Sequence, residues 1–267
     1  MKLDRDRERL LQKQLLDPDQ AEVERKLADR PNDPDLYYEL GMSLFRSGEY
    51  PAADDAFSHG LALDPFEPWL RFGRGRCRSK MGKNWEALAD FEYVCRLDTD
   101  NRAFRYYMAT TEYDMGLYEE AAGDFRICVD LAEQSERYPL VTWLYLTYLL
   151  ELKDPVKAKQ TLELVEDGVE ARQMDYGYRR CVELFKGHID PENFVDLEDM
   201  EKNCLKKPGR IELEQYMMYY GLYAYSVMID DEAMGREALL TIMKRKPSPA
   251  FGYTLARKKA KELGLID

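Results

Sequence analysis

The sequence predicts an all-α fold, a right-handed superhelical stack of antiparallel helix pairs. Two observations carry that prediction. The chain repeats itself at a period of 34 residues, from Leu40–Pro65 through Arg74–Thr99 to Met108–Glu133, without a gap. Within each period, two apolar stripes at helical spacing flank a break at glycine.

Aligned columns give each element its reason. Gly48, Gly82 and Gly116 each end a first stripe, where a helix terminus needs left-handed backbone angles. The small residues Gly41, Gly75 and Ala109, and later Ala53, Ala87 and Ala121, let two antiparallel helices approach closely. Phe57, Phe91 and Phe125 fill the wedge toward the next pair, and Leu63, Leu97 and Leu131 recur near the second helix's end. A helix hairpin of this kind cannot bury its own apolar face, so it needs neighbours.

The organisation follows from how well each segment keeps the columns. Residues 1–33 read as an N-terminal helical cap and half repeat, with Val23 in the phenylalanine column and Pro31 in the proline column. Residues 34–135 hold three regular repeats. Residues 136–171 form a degenerate fourth, with Ala158 and Leu162 near their columns and Lys153 in the place of the glycine. In 172–267 the register is lost. Two helices are predicted there, split at Gly187, the second capped by Asp190 and Pro191. After Pro208-Gly209 comes a fifth hairpin, in which Gly221 and Ala233 keep the offset of Gly41 and Ala53, and then a basic amphipathic closing helix.

The period, the small-residue, Gly, Ala and Phe columns, and the closing Asp-Pro together resemble the tetratricopeptide repeat (TPR), most specifically over 34–135. The segment order, with several repeats, "VELFKGHIDPENF", one more repeat and a final Ala/Arg/Leu helix, is similar to that of NlpI-type bacterial TPR proteins. Members of that group known as lipoproteins begin with a secretion signal and an acylated cysteine. The opening "MKLDRDRERLLQ" has neither, which predicts a cytoplasmic protein.

Composition narrows the function. The 267 residues are 45% hydrophobic and 34% charged, with no run approaching the roughly 20 apolar residues of a membrane helix. Five cysteines without a close pair suit a reducing compartment. The net charge of −12 argues against a nucleic-acid backbone as partner. Neither His59 nor His188 has partners at metal-ligand spacing, and both read as packing or surface residues. Cys95 and Cys128 follow apolar stripes and read as small core residues. The carboxylate pairs Asp54-Asp55 and Glu119-Glu120 read as exposed acids. No phosphate loop or nucleophile elbow is present, so neither enzyme activity, cofactor nor metal is expected.

The TPR resemblance implies that first helices line a concave surface. Residues not used by the packing columns are the candidates for a peptide-binding groove: Tyr38, Met42, Phe45 and Arg46 in the first repeat, Trp69, Phe72, Arg76 and Lys80 in the second. Tyr106, Tyr107, Thr110 and Tyr113 in the third and Trp143 in the fourth extend the set. So many rings on one side suit a protein hot spot. The second repeat leaves its register open. Arg71 and Arg74 stand where bulky apolar residues are usual, and a rotated helix would put Trp69 and Phe72 in the core. The basic run Arg71, Arg74, Arg76, Arg78, Lys80 and Lys83 reads either as solvated or acid-paired charge, or as an attraction for an acidic ligand.

The family's carboxylate clamp for chaperone tails is not implied, because its places here hold Tyr38 and Met42, then Gly73, then Ala103 and Tyr107. The expected function is a non-enzymatic adaptor for protein–protein interaction, binding a partner peptide or helix in an aromatic groove. The second reading is a homodimer that buries its aromatic surfaces, with Gln215–Met228 as the candidate seam, although a buried helix explains that run equally well.

Overall fold

The computed structural model describes residues 19–248 and 250–267; residues 1–18, which hold the start of the predicted cap and the opening segment, lie outside them. The described residues contain fourteen α-helices and no strand. They divide into two units, one ending at Ala121 and the other beginning at Ala122.

The N-terminal unit is built from α1 (Gln20–Asp29), α2 (Pro34–Arg46), α3 (Tyr50–Leu63), α4 (Pro68–Lys80), α5 (Asn84–Leu97), α6 (Arg102–Asp114) and the start of α7 (Tyr118–Asp130). First helices begin at strong caps. The Asp33 carboxylate accepts from the Asp35 amide at 3.1 Å and Glu67 accepts from Trp69 at 3.3 Å, each followed by proline at the first helical position. They end where the glycine column predicts, with φ of +81°, +73° and +79° at Gly48, Gly82 and Gly116.

The phenylalanine column is the wedge between pairs. A Cβ on Gly41 of α2 would stand 2.6 Å from the Phe57 ring, and one on Gly73 of α4 would stand 2.5 Å from the same ring. Phe57 therefore fills the space between its own hairpin and the next, and is fully buried. Phe91 does the same against Gly75, and Val23 of α1 is buried in the matching place of the half repeat. By contrast Leu63 and Leu97 close α3 and α5 with more than a third of their surface exposed.

The C-terminal unit keeps helix pairing and loses the period. In α8 (Arg137–Leu146) every residue after Arg137 is buried. A π-helical turn over Thr147–Glu151 follows, then Lys153 in the left-handed region at φ +54° and α9 (Pro155–Thr161). Lys153 thus does the turning that glycine does in the regular repeats. Lys153 and Ala158 both stand three residues behind the strict period.

Next come α10 (Tyr176–Phe185), α11 (Leu197–Asn203), α12 (Arg210–Ile229), α13 (Glu232–Met243) and α14 (Phe251–Glu262). Gly187 ends α10 as predicted, at φ +76°. The following helix does not start at Pro191, which opens only a 3-10 turn. It starts after Asp196, whose carboxylate accepts from the Asp199 amide at 3.1 Å, the cap that Asp190 does not supply. In the last hairpin Ala233 is exposed. The close approach of α13 to α12 is made by Gly235, where a Cβ would meet Ser226 Oγ at 2.4 Å.

Helix α12 packs against α10, α13 and α14. Tyr216, Met217, Met218, Tyr220, Tyr223 and Ala224 are buried, so the run Gln215–Met228 is largely interior to its unit. Val227, Met228 and Ile229 at the end of α12 stay exposed, as do Glu212 and Leu213 near its start.

Candidate peptide-binding face

The chemistry of the N-terminal unit is divided between two faces of α4. Arg71, Arg74 and Arg78, spaced by three and four residues, share one face. Arg74 grips Asp90 of α5 through Nε at 2.9 Å and Nη2 at 2.7 Å, and Arg78 reaches the same carboxylate at 2.9 Å and Asp54 of α3 at 3.0 Å. Arg71 approaches Asp90 at 3.7 Å, stacks 4.0 Å over Tyr93 and donates to the Pro65 carbonyl at 3.0 Å. Asp90 is 3% exposed. The buried carboxylate is tolerable only because three guanidinium groups surround it. Most of the basic run is therefore paired with neighbouring acids, and Asp54 belongs to this cluster rather than to solvent.

The opposite face carries Trp69, Phe72 and Arg76. Phe72 sits at 5.0 Å from Phe104 and 5.2 Å from Tyr107, and Trp69 at 4.9 Å from Phe104, between centroids. One turn on, the Arg76 guanidinium lies 4.3 Å over Phe45 of α2, 5.1 Å over Tyr107 of α6 and 5.5 Å over Phe72. Arg76 Nε is buried without a hydrogen-bond partner, as is the Trp69 indole Nε1. Among the described residues no carboxylate pairs with Arg76. Cation–π contact of this kind is worth about 0.5–2 kcal/mol, holding the group in place while leaving its charge uncompensated.

Arg46 and Lys80 are exposed beside Arg76. Partial desolvation against its neighbours holds the Lys80 ammonium below the usual lysine range, the Asp114 carboxylate opposes that shift and the charge of Arg76 adds to it. The Tyr38 hydroxyl is pushed up to about 12 by burial, against the pull of Arg76 and Arg46, so it remains a neutral phenol.

The predicted groove residues separate accordingly. Phe45, Arg76, Tyr106 and Tyr107 are half-buried and Arg46 and Lys80 exposed, on α2, α4 and α6 of one unit. Tyr38, Met42, Trp69, Phe72, Thr110 and Tyr113 are buried instead. Their places on the first helices turn them into the seams between helices. Tyr38 packs 6.0 Å from Phe57, for example, and Tyr113 5.3 Å from Tyr118. Trp69 and Phe72 follow the rotated register. Trp143 is core in the C-terminal unit, stacked at 5.4 Å on Phe125. The residue that sequence reasoning missed is Asp90, whose signal was the shared helical face of Arg71, Arg74 and Arg78.

All five cysteines are buried thiols, with Cys77 pushed up to about 12 by burial. His59 stacks on Tyr37 and points Nδ1 at the Asp55 carbonyl, 2.9 Å away. No group of His, Cys, Asp and Glu among the described residues has the arrangement of a metal site. No helix among them is long and apolar enough to cross a membrane.

Comparison with solved structures decides the fold. The chain is similar to MamA, with a TM-score of 0.50 and 14% identity over 53% of this chain and 81% of that one. It is also similar to MamA from residue 41 onward of Desulfovibrio magneticus RS-1, with a TM-score of 0.51 and 19% identity over 54% and 80% of the two chains. The fold is the tetratricopeptide-repeat fold. No protein-family profile matches the chain. Among curated proteins it is 33% identical over 85 residues to outer dynein arm-docking complex subunit 4 of Xenopus laevis, a stretch that is 32% of this chain and 16% of that protein.

Proposed function

We propose that this TPR chain is a non-enzymatic protein–protein interaction scaffold, an adaptor that holds a partner's peptide or helix on the first-helix face of its N-terminal unit. One observation carries the reading. Phe45 and Tyr107, from two first helices, stay half-buried around Arg76 and Tyr106 stays half-buried 5.8 Å from Tyr107, while the adjoining rings of Trp69, Phe72 and Phe104 are consumed in the core. Rings left partly open beside cations match the composition of protein hot spots. The TPR fold shared with MamA supports a scaffold rather than an enzyme.

The test is selection of random displayed peptides on the full chain, followed by binding of the enriched peptides to the double variant Phe45→Ser/Tyr106→Ser. Loss of binding with an almost unchanged melting temperature is the expected result. Retained binding moves the partner surface elsewhere. The homodimer reading now rests on Val227, Met228 and Ile229, exposed at the end of α12. Sedimentation velocity across a concentration series checks it, and a monomer throughout removes it.

A further inference from the structure

We infer that the partner segment delivers an internal acidic side chain, an aspartate or glutamate between apolar neighbours, to the Arg76 guanidinium; this rests on the reading above that the partner lies across the first-helix face. The four arginines of α4 have unequal fates. Arg71, Arg74 and Arg78 converge on Asp90, whereas Arg76 is clamped by Phe45, Phe72 and Tyr107 with no carboxylate among the described residues. A guanidinium so placed has exchanged water for aromatic faces on its flat sides. Its Nε is sealed off without a partner, so Nη1 and Nη2 are the nitrogens open to a ligand. Two parallel N–H donors of fixed geometry match one carboxylate.

Charge complementarity points the same way. The chain carries a net charge of −12, yet Arg76 on this face meets aromatic rings and no carboxylate among the described residues. An acidic ligand would be repelled by most of the surface and accepted here, which makes the contact selective as well as favourable. The position of Arg76 decides the source of the carboxylate. Phe45 on α2 lies to one side and Tyr107 on α6 to the other, so the apolar surface continues past the guanidinium in both directions. A side chain in mid-segment fits that arrangement, and a chain end does not use both flanks.

Two random peptide libraries, one tethered through its C-terminus and one leaving a free chain end, are selected on the full-length protein. The best binder is then synthesised with both ends blocked, together with its form in which the enriched acid is replaced by the corresponding amide, and measured by fluorescence anisotropy. Enrichment of an internal acid flanked by apolar residues is expected. The amide form should bind about ten- to a hundredfold more weakly, as should the parent peptide on Arg76→Gln. On Arg76→Gln the two peptides should bind alike, the signature of direct coupling. Arg76→Met, which keeps the stem packed, should repeat that loss, and melting temperatures identify any variant that fails to fold.

Enrichment confined to free chain ends, peptides lacking an acid, equal acid dependence on wild type and Arg76→Gln, or no enrichment at all would each overturn the inference. Peptides that lack an acid but still require Phe45 and Tyr106 would leave the scaffold reading standing. Binding indifferent to Phe45, Tyr106 and Arg76 together would remove both.

Discussion

The two units pack helices against helices under opposite rules. In the N-terminal unit the two complete hairpins, α2–α3 and α4–α5, use the same contact, glycine against phenylalanine. In the C-terminal unit a single long helix, α12, is packed against three neighbours and has rings on almost every side. The connecting turns differ as well. Glycines at one period turn the first unit, whereas Lys153 and Asp230 adopt left-handed angles in the second. Periodicity persists where each unit of structure meets only copies of itself, and disappears where one helix is enclosed by several unlike neighbours.

That contrast can be broken most severely at the wedge. Phe57→Ala empties a site between α2 and α4 and should lower stability by about 3–5 kcal/mol, measured by urea unfolding. A loss under about 1 kcal/mol would mean that neighbouring hairpins collapse onto the gap. Asp90→Ala leaves Arg71, Arg74 and Arg78 without their shared carboxylate, and removal of one partner from a buried ionic cluster costs about 3–5 kcal/mol. Much of that loss should return when Arg74 is replaced by Met in the same chain. The coupling is absent if the two substitutions simply add.

Smaller effects sharpen the comparison from the other side. Lys153→Gly relieves left-handed strain of about 1 kcal/mol at the irregular turn and should raise the melting temperature slightly. A fall would show that the Lys153 ammonium, 2.5 Å from the Leu150 carbonyl, contributes more than the strain.

The smallest effect is a pH dependence confined to the C-terminal unit. Glu214 accepts from the Gly177 amide at 2.7 Å and pairs with Arg210, yet burial raises its carboxyl above the ordinary range. A raised carboxyl adds stability that is present below its unfolded value and lost as pH rises through the folded one. On going from neutral pH toward the carboxylate range, the wild type should therefore gain stability relative to Glu214→Gln. Unfolding curves of both proteins across that interval check it, and parallel curves would show that Arg210 already cancels the burial effect.

Legibility in the sequence follows the same division. Gly48, Gly82 and Gly116, the phenylalanine column and Val23 could be read because a fixed period repeats one physical requirement. Half of the proposed face could not. Spacing identifies which residues share a side of a helix, but Tyr38, Met42, Trp69 and Phe72 were lost to the core because rotation of each helix is set by its neighbours. Ala233 illustrates the limit further. Its offset from Gly221 matched the repeat, but Gly235 is the residue that touches α12.

By itself the sequence determined the helix pairs, their turns in 34–135 and the basic character of α4, since local propensity and period act within a few residues. Only the tertiary structure decided which arginines of that helix are spent. Arg71, Arg74 and Arg78 reach Asp90 and Arg76 does not, because partners on other helices, not spacing along one, determine whether a charge is compensated.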